Sequence, residues 1–419
     1  MVYRKWLFAA FHLPWRALAL DHGQQHGLRI GSERGRTRLR TALGLLLLTS
    51  GAGFAQLPPL KAPSHWINLP NQQFEVDGLP WYAENHGELF RLPERLKDTY
   101  PESVWHLAED PTGGRIRFRT DSSALAIRLE YPSPPSMPNM QALGQSGVDL
   151  YVENTYWRTA IPDKEAKPGK IYEFVYFNFG DAPRLKREIT LYLPLYSGVK
   201  VLAIGVEANA VIERAAPFAL PKPVVLYGTS ITQGCCASRP GKSFEAIVGR
   251  RLNIDFVNLG FSGAGLYEPA LADAVAAIDA SCYVLDSSNI NTAEALGKVL
   301  GPFIQIIREK HPLTPILVVS PIYSSEELIW GIRKSNNYDR RELTRKIVSS
   351  LIAQGDRNIQ LMEGTDLLSP SQGDGLTDGA HPNDLGFEWI ANGLSTRLAT
   401  MLGLNPKQRA TCAQESLNK

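Results

Sequence analysis

From residue 224 onward the chain alternates short apolar runs with longer segments of helical periodicity. Apolar, often β-branched runs at 224–228, 255–260, 282–287, 315–321 and 358–364 predict buried strands. Helical patterns lie between these runs, near 242–252, 267–279, 292–310 and 338–354, and a last one lies near 384–402. This repeat predicts an α/β domain over 222–405, with a parallel sheet between two helical layers and the flavodoxin-like strand order 2-1-3-4-5.

The preceding segment, 57–214, has a different pattern of short strands separated by turn residues. Residues 115–119 and 125–131 alternate polar and apolar side chains, and 120–123 lie between them, so the pattern predicts a hairpin with one buried face. No helical period of useful length is present, which favours an all-β, jelly-roll-like sandwich. The proline-rich stretch 215–223 marks the boundary with the α/β domain.

The amino terminus has the pattern of a secretory signal. Basic residues at 34–40 precede an apolar core at 41–49, and small residues stand at Gly53 and Ala55. We therefore predict a leader over 1–55, cleavage after Ala55, and a periplasmic or secreted protein. The apolar core is too short to span a bilayer comfortably, so no membrane span is expected after cleavage. Residues 406–419 are predicted to be a tail outside the fold.

Composition excludes several classes of partner and cofactor. The chain is 44% hydrophobic and 21% charged, as ordinary soluble proteins are, and its net charge of +2 gives no reason to expect a nucleic-acid partner. Four cysteines are too few for a disulfide framework, and they lack the spacing of a zinc site, so no metal is predicted. A bridge from Cys282 to Cys235 or Cys236 is left open.

Four loops that follow predicted strands carry polar or glycine-rich sequence. Because the carboxyl ends of parallel strands meet at one edge of a sheet, we expect these loops to form one site. The candidate residues in them, in chain order, are Ser230, Gly263, Asn289, and the pair Asp378 and His381.

These residue types suit nucleophilic catalysis. A serine hydroxyl needs a base to take its proton, and a neutral imidazole does this well, so His381 is the predicted base for Ser230. Asp378, three residues before His381, can accept a hydrogen bond from the other ring nitrogen and orient the imidazole. Each residue alone has a purely structural explanation, such as Asn289 capping the next helix.

The four loops together resemble the sequence blocks of the SGNH (GDSL-type) hydrolases. The closest matches are 226–234 (Leu-Tyr-Gly-Thr-Ser-Ile-Thr-Gln-Gly), 237–241 and 378–386. The string Gly-Val-Asp-Leu-Tyr at 147–151 resembles the GxDLY signature of a β-domain that precedes one branch of these esterases. In this strand Val148 and Leu150 are expected to face one way, and Asp149 and Tyr151 to face solvent or a neighbouring domain.

The resemblance implies three oxyanion donors: the backbone N–H groups of Ser230 and Gly263 and the side-chain amide of Asn289. The third block departs from the family pattern, because Ser287 stands where a glycine is usual. Relatives of this branch often place the asparagine one position later, where this chain has Ile290, and Asn291 is the fallback for this role.

The resemblance implies an exported serine esterase that removes ester groups, acetyl groups above all, from a carbohydrate, without a cofactor or metal. Its partner would be an acylated small molecule or polysaccharide. Two alternatives stay open: a lipase or phospholipid acylhydrolase that uses the same three residues, and a glycan-binding protein with an inactive hydrolase domain. Four side chains that could line a sugar cleft, although packing roles are the stronger interpretation, are Arg239, Tyr267, Tyr323 and Trp330.

Overall fold

The structure is a computed structural model that describes residues 60–180, 182–289 and 292–404, except for the side chain of Asn289. The predicted leader over 1–55 and the predicted tail over 406–419 lie outside the described residues. Within the described ranges, no helix combines the length and the apolar composition that a membrane span requires.

The amino-terminal region consists of two antiparallel sheets packed face to face. Their orders are β1-β9-β4-β7 and β10-β3-β8-β5-β6, with β2 beside β3. Apolar side chains from both sheets, such as Ile127 and Leu191, form the core between them. The strands are β1 (His65–Asn68), β2 (Glu75–Asp77), β3 (Arg115–Thr120), β4 (Ala124–Glu130), β5 (Val148–Val152), β6 (Thr155–Ala160), β7 (Ile171–Asn178), β8 (Arg187–Tyr192), β9 (Lys200–Val206) and β10 (Ile212–Glu213).

The predicted hairpin of β3 and β4 is wrong. The two strands belong to opposite sheets, because β3 pairs with β8 whereas β4 pairs with β7 and β9. The connection between them is buried, and Ser122 Oγ donates to the Ala124 carbonyl at 2.6 Å. An alternating pattern shows that one face of a strand is buried. It does not show whether the following strand pairs with that strand or lies in the opposite sheet across the core.

The expectation of an all-β region is also incomplete. Two short helices, α1 (Glu102–Ala108) and α2 (Ala142–Ser146), interrupt the strands. Val104 and Trp105 of α1 are buried and belong to the same hydrophobic core cluster as residues of the following α/β region, such as Tyr227. Helices of one or two turns are too short to produce a clear helical period in the sequence.

The carboxyl-terminal region is a parallel five-stranded sheet between two layers of helices. Its order, β12-β11-β13-β14-β15, confirms the predicted order 2-1-3-4-5. The strands are β11 (Val224–Gly228), β12 (Phe256–Gly260), β13 (Cys282–Asp286), β14 (Ile316–Val319) and β15 (Ile359–Met362). The helices are α3 (Ser230–Gln233), α4 (Phe244–Leu252), α5 (Pro269–Ala276), α6 (Ala293–Lys310), α7 (Glu326–Trp330), α8 (Asn336–Ala353), α9 (Gly364–Leu367) and α10 (Asp384–Met401).

Buried arginines of the β region cover the edge strand β12. Arg91, which is fully buried, donates to the carbonyls of Asn258 at 3.3 Å and of Gly260. Arg115 forms an ion pair with Asp255, and its guanidinium lies 3.9 Å from the centre of the Phe256 ring. An uncovered edge strand would leave its carbonyls unpaired, so these contacts fix the parallel sheet against the sandwich.

Candidate active site

Ser230 lies directly after the central strand β11, at the first position of the short helix α3. The turn that leads to it requires a glycine at 228, because a Cβ there would lie 2.1 Å from the Thr232 hydroxyl. Gly234 ends α3 with a φ of +89°, a left-handed conformation that favours glycine. Gly228 and Gly234 therefore define the tight loop that holds Ser230.

The structure brings Ser230, His381 and Asp378 together. Ser230 Oγ lies 2.8 Å from His381 Nε2, and His381 Nδ1 lies 2.8 Å from Asp378 Oδ2. Both are ordinary hydrogen-bond distances, so the three side chains form a continuous chain from carboxylate to hydroxyl. The order of the groups is the one that the proton-transfer argument requires.

A tight turn fixes Asp378 relative to His381. The second carboxylate oxygen, Asp378 Oδ1, accepts hydrogen bonds from the backbone N–H groups of His381 at 2.9 Å and Ala380 at 3.2 Å. Gly379 has a φ of +87° inside this turn. Asn383 then caps α10 by accepting from the N–H of Leu385 at 2.9 Å. Short-range hydrogen bonds therefore position the carboxylate and the imidazole.

The environment of Asp378 favours its ionised form. Partial burial by itself would raise the pKa of this carboxyl, but hydrogen bonds from the His381 backbone and ring and from Asn139 outweigh it and hold the pKa at about 2. Asn139 belongs to the β region, and its Nδ2 donates to Asp378 Oδ2 at 3.1 Å. The amino-terminal region thus contributes a side chain to the site.

A cavity of about 570 Å³ opens at Ser230 and His381. Its wall includes Gly263, whose φ of +66° and open surroundings leave its backbone accessible from the cavity. Other polar side chains line the far wall, including Ser324, Glu326, Asn337 and Arg340. The cavity is therefore large enough for a small ester, and its surface is a mixture of polar and apolar groups.

The third predicted loop is described only in part. A 3-10 turn over Ser287–Asn289 follows β13, and Ser288 lines the cavity. The side chain of Asn289 and all of Asn291 lie outside the described residues. The helix cap is Thr292, whose side chain accepts from the Ala295 N–H at 3.1 Å. The choice between Asn289 and Asn291 as oxyanion donor stays a prediction.

The glycine-rich second loop contacts the first. Gln233 Oε1 accepts from the Ser262 N–H at 2.9 Å. A Cβ at Gly260 would lie 2.4 Å from the backbone nitrogen of Gln233, so only glycine allows the two loops to approach this closely. Gly263 has no such constraint from packing, since the position where its Cβ would lie is open space.

Asp149 of the GxDLY string contacts the loop that follows Ser230. Its buried carboxylate accepts from Arg239 Nη1 at 2.7 Å and from the Gly241 N–H at 2.9 Å. The Tyr151 ring lies so close that a Cβ at Gly241 would be 2.5 Å from it. The polar face of this strand is therefore directed at the α/β region, one of the two predicted outcomes.

Two of the four side chains suggested for a sugar cleft have structural roles. Arg239 is held by Asp149, and Tyr267 is buried and donates to the Asp286 carbonyl at 2.7 Å. Tyr323 lines the cavity, and Trp330 is 66% exposed on α7, the helix that begins at the lining residue Glu326.

Three cysteines are buried free thiols, so neither Cys235 nor Cys236 is bridged to Cys282. Cys235 and Cys236 lie beside the site instead. Their sulfur atoms are 3.2 Å apart, and together with a ring nitrogen of His381 they form a group whose ligand atoms all lie within 4.8 Å of one another. The spacing of the cysteines along the sequence does not reveal this group, because its third member, His381, is distant in the sequence.

Asn139 was missed by the sequence analysis. It stands directly after the proline-rich stretch 132–138, 239 residues before its partner Asp378. No local pattern marks such a contact, and only the packing of the β region on the α/β region reveals it.

Comparison with known proteins agrees with this architecture. The profile of the GDSL-like lipase/acylhydrolase family matches residues 221–399, and the profile of the GxDLY amino-terminal domain of SGNH-type esterases matches residues 64–212. A crystal structure from Bacteroides ovatus described as a GDSL-like lipase is 29% identical, with a TM-score of 0.72, over 81% of this chain and 99% of that one. A comparison with curated proteins finds no significant match.

More distant structures share the fold. The salicylyl-acyltransferase of a tetracycline biosynthetic pathway is 24% identical, with a TM-score of 0.65, over 82% of this chain and 98% of that one. A family two carbohydrate esterase from Clostridium thermocellum, solved with cellohexaose, is 13% identical with a TM-score of 0.53, over 70% and 93% of the two chains. The chain belongs to the GDSL-like lipase/acylhydrolase (SGNH) family, in the branch with a GxDLY amino-terminal domain, and is an ester-hydrolysing enzyme.

Proposed function

We propose that the protein is a serine esterase in which Ser230 is the nucleophile, His381 the general base and Asp378 the orienting carboxylate. The observation that carries the proposal is the continuous hydrogen-bonded chain from Asp378 through His381 to Ser230, at 2.8 Å for each step. This chain opens on a cavity that can accept an ester.

The reaction has two steps. Ser230 Oγ attacks the ester carbonyl carbon while His381 Nε2 takes the hydroxyl proton, and the collapsing intermediate expels the alcohol with that proton. Water then attacks the acyl-enzyme, His381 takes a proton from the water, and the free acid leaves as Ser230 recovers its proton. Asp378 accepts from His381 Nδ1 throughout, so the nitrogen that faces Ser230 is free to accept.

The oxyanion of each tetrahedral intermediate would be stabilised by the backbone N–H groups of Ser230 and Gly263 and by the amide of Asn289 or Asn291. The exposed backbone of Gly263 in the cavity wall supports its part in this role. Loss of one oxyanion donor typically costs about 10²–10³ in kcat.

We propose acetylated carbohydrate as the substrate. The polar part of the cavity wall, which includes Ser324, Asn337 and Arg340, suits a hydroxyl-rich molecule. Solved structures that share the fold include the carbohydrate esterase that was crystallised with cellohexaose and an acetyl xylan esterase from Butyrivibrio proteoclasticus.

A specific observation favours a second candidate, a long-chain ester. Leu328, Ile329 and Trp330 of α7 are 70%, 86% and 66% exposed, directly after Glu326 in the cavity wall. Such an apolar patch beside the site could hold an acyl chain. A third outcome is transfer of the acyl group to an alcohol other than water, as in the acyltransferase that shares the fold.

One assay tests these proposals together. The full chain is given p-nitrophenyl acetate, a longer-chain p-nitrophenyl ester and acetylated xylan, beside Ser230→Ala and the exposed-serine control Ser371→Ala. We expect turnover of acetyl esters by wild type and Ser371→Ala only. Turnover by Ser230→Ala at the wild-type rate would exclude the nucleophile, and a preference for the long chain would exclude the acetyl substrate. Binding of xylan without turnover would indicate the glycan-binding alternative.

We also propose export to the periplasm or the medium, on the signal-like pattern of residues 34–55. Amino-terminal sequencing of the protein from its native cells should begin at Gln56. A sequence that begins upstream of residue 34 would contradict cleavage at this signal.

A further inference from the structure

The proposed esterase mechanism does not use the pair Cys235–Cys236, which lies beside the site. Both thiols are buried, and Cys236 has a φ of +72°, an unusual conformation for a residue other than glycine. With this backbone the two neighbouring side chains point the same way, and their sulfur atoms are 3.2 Å apart. The strained pair directly follows the loop that holds Ser230, residues 228–234, which we call the nucleophile loop.

The two sulfur atoms and a ring nitrogen of His381 have the composition of a soft-metal site. Thiolate and imidazole are the ligands that Zn²⁺ prefers, with Zn–S distances of about 2.3 Å and Zn–N distances of about 2.0 Å. In a tetrahedral site such ligand atoms lie about 3.6–3.8 Å apart. The three atoms here lie within 4.8 Å of one another, so a shift of about an ångström would bring them onto one ion.

We propose that Cys235, Cys236 and His381 form an inhibitory site for Zn²⁺ or a similar soft divalent ion. Binding forms two metal–sulfur bonds and one metal–nitrogen bond, and it releases the two thiol protons to solvent without any change of oxidation state. A solvent molecule takes the fourth position.

Metal binding at this site would prevent ester hydrolysis, because both require His381. Its Nε2 contacts Ser230 and its Nδ1 contacts Asp378. Whichever nitrogen takes the metal must leave one of these partners, so Ser230 loses its base or the base loses its orientation. The metal thus acts as a reversible off-switch, an activity distinct from the proposed ester hydrolysis.

Co²⁺ is the probe, because a thiolate–Co²⁺ bond absorbs in the near ultraviolet whether or not the enzyme turns over. The reduced full chain is titrated in a Cys412→Ser background, with Cys282→Ser as the matched control for a buried thiol outside the group. We expect one equivalent to bind in both proteins and Zn²⁺ to displace it. Loss of a group that only hydrogen-bonds to a metal ligand costs about 10–100-fold in metal affinity. Loss of a ligand itself, in Cys235→Ser, Cys236→Ser or His381→Ala, should therefore lower the Co²⁺ affinity at least about 100-fold.

Alanine replacements at both cysteines, with circular dichroism of every variant, separate loss of a ligand from loss of the fold. An absence of thiolate absorption in folded wild type at a large excess of Co²⁺ would overturn the proposal. So would unchanged affinity in Cys235→Ala, Cys236→Ala or His381→Ala.

The inhibitory role has its own readout. The ratio of ester hydrolysis with and without Zn²⁺ should fall at least about tenfold in wild type, recover with a chelator, and stay near one in folded Cys235→Ala and Cys236→Ala. Binding of Zn²⁺ without inhibition of ester hydrolysis would refute the inhibitory role. If the protein has no esterase activity, the Co²⁺ titration alone decides whether the metal site exists.

Discussion

Asp378 is the residue whose surroundings bear most directly on the proposed chemistry. Its carboxylate accepts from the His381 ring, the His381 backbone and Asn139, and these contacts hold its pKa at about 2 despite partial burial. The group is therefore ionised at every pH well above 2. An ionised carboxylate opposite Nδ1 selects the imidazole tautomer that can accept the Ser230 proton.

Replacing this carboxylate should preserve the geometry and remove most of the activity. We expect Asp378→Asn to lower kcat by about 10⁴-fold, because an amide also stabilises the wrong tautomer of His381. Steady-state kinetics on p-nitrophenyl acetate measures the effect. Asp374→Asn, an exposed change in the same segment, is the control and should retain the wild-type rate. Equal rates for the two variants would remove Asp378 from the mechanism.

Asn139 should have a smaller effect on the rate. Its hydrogen bond to Asp378 is partly exposed, and the loss of such a bond costs about 1 kcal/mol, which corresponds to roughly a fivefold lower kcat. We expect Asn139→Ala to show this loss with an unchanged KM, while Asn71→Ala, an exposed change in the same region, has none. A raised KM with normal kcat would indicate that Asn139 contacts substrate instead of positioning Asp378.

Among individual residues, the sequence predicted those that local spacing or the family pattern marks. Asp378 and His381 share one turn, and Ser230 lies in a glycine-containing loop at a strand end, so the sequence predicted that the three would meet, while their catalytic roles stay predictions. Asn139 was not found, because its role depends on a contact between two regions that no periodicity reports.

Among the elements, strand β5 connects the sandwich to the nucleophile loop. Val148 and Leu150 are buried in the sandwich core, while Asp149 is fully buried against Arg239 and Gly241. Burial tends to raise the pKa of Asp149, and Arg239 opposes this effect. The GxDLY string therefore acts as a docking contact for the loop after Ser230.

Breaking this contact should destabilise the protein. We expect Asp149→Asn to lower the free energy of unfolding by on the order of 3 kcal/mol, because it leaves the Arg239 guanidinium poorly paired in a largely buried position. Thermal denaturation measures the change. Asp163→Asn, which removes an exposed ion pair with Lys170 in the same region, should leave the melting temperature nearly unchanged. Similar melting temperatures for the two variants would contradict the docking role.

The elements show where sequence patterns succeed and where they fail. Strands of the parallel sheet are buried on both faces and produce continuous apolar runs, so their positions were predicted, and the alternation of strands and helices led to the predicted order. The pairing of β3 and β4 was not, because alternation identifies a buried face but not the partner strand.

At the scale of the whole molecule, two of the carboxyl groups that the structure describes, Asp110 and Glu245, lie behind the loop that holds Ser230 and are largely removed from water. Burial raises the pKa of Asp110 and of Glu245 to about 7. Glu245 lies on α4, where its Oε1 accepts from Asn258 Nδ2 at 2.8 Å. Asp110 accepts from Gln233 Nε2 at 3.4 Å. Both groups therefore link the stability of the molecule to pH.

The sign of this linkage follows from proton uptake. The folded protein keeps a proton on Glu245 up to about pH 7, whereas the unfolded chain loses it near 4.5. The stability that this group contributes is fully present below pH 4.5 and falls as the pH rises from 4.5 to about 7. Above about pH 7 it does not change further. Glu245→Gln should remove about 3 kcal/mol of this pH dependence, measured as the difference in unfolding free energy between the two ends of the window. A wild-type slope in Glu245→Gln would show that the group does not titrate there.

The central claim is that Ser230 becomes acylated. Wild type and Ser230→Ala are incubated with an activated phosphonate ester, which forms a stable adduct with an activated serine, and intact mass spectrometry with peptide mapping locates the label. We expect one adduct per chain, on the peptide that contains Ser230, with complete loss of esterase activity and no adduct in Ser230→Ala. Labelling at another residue, or an active wild-type enzyme that carries no label, would contradict the mechanism.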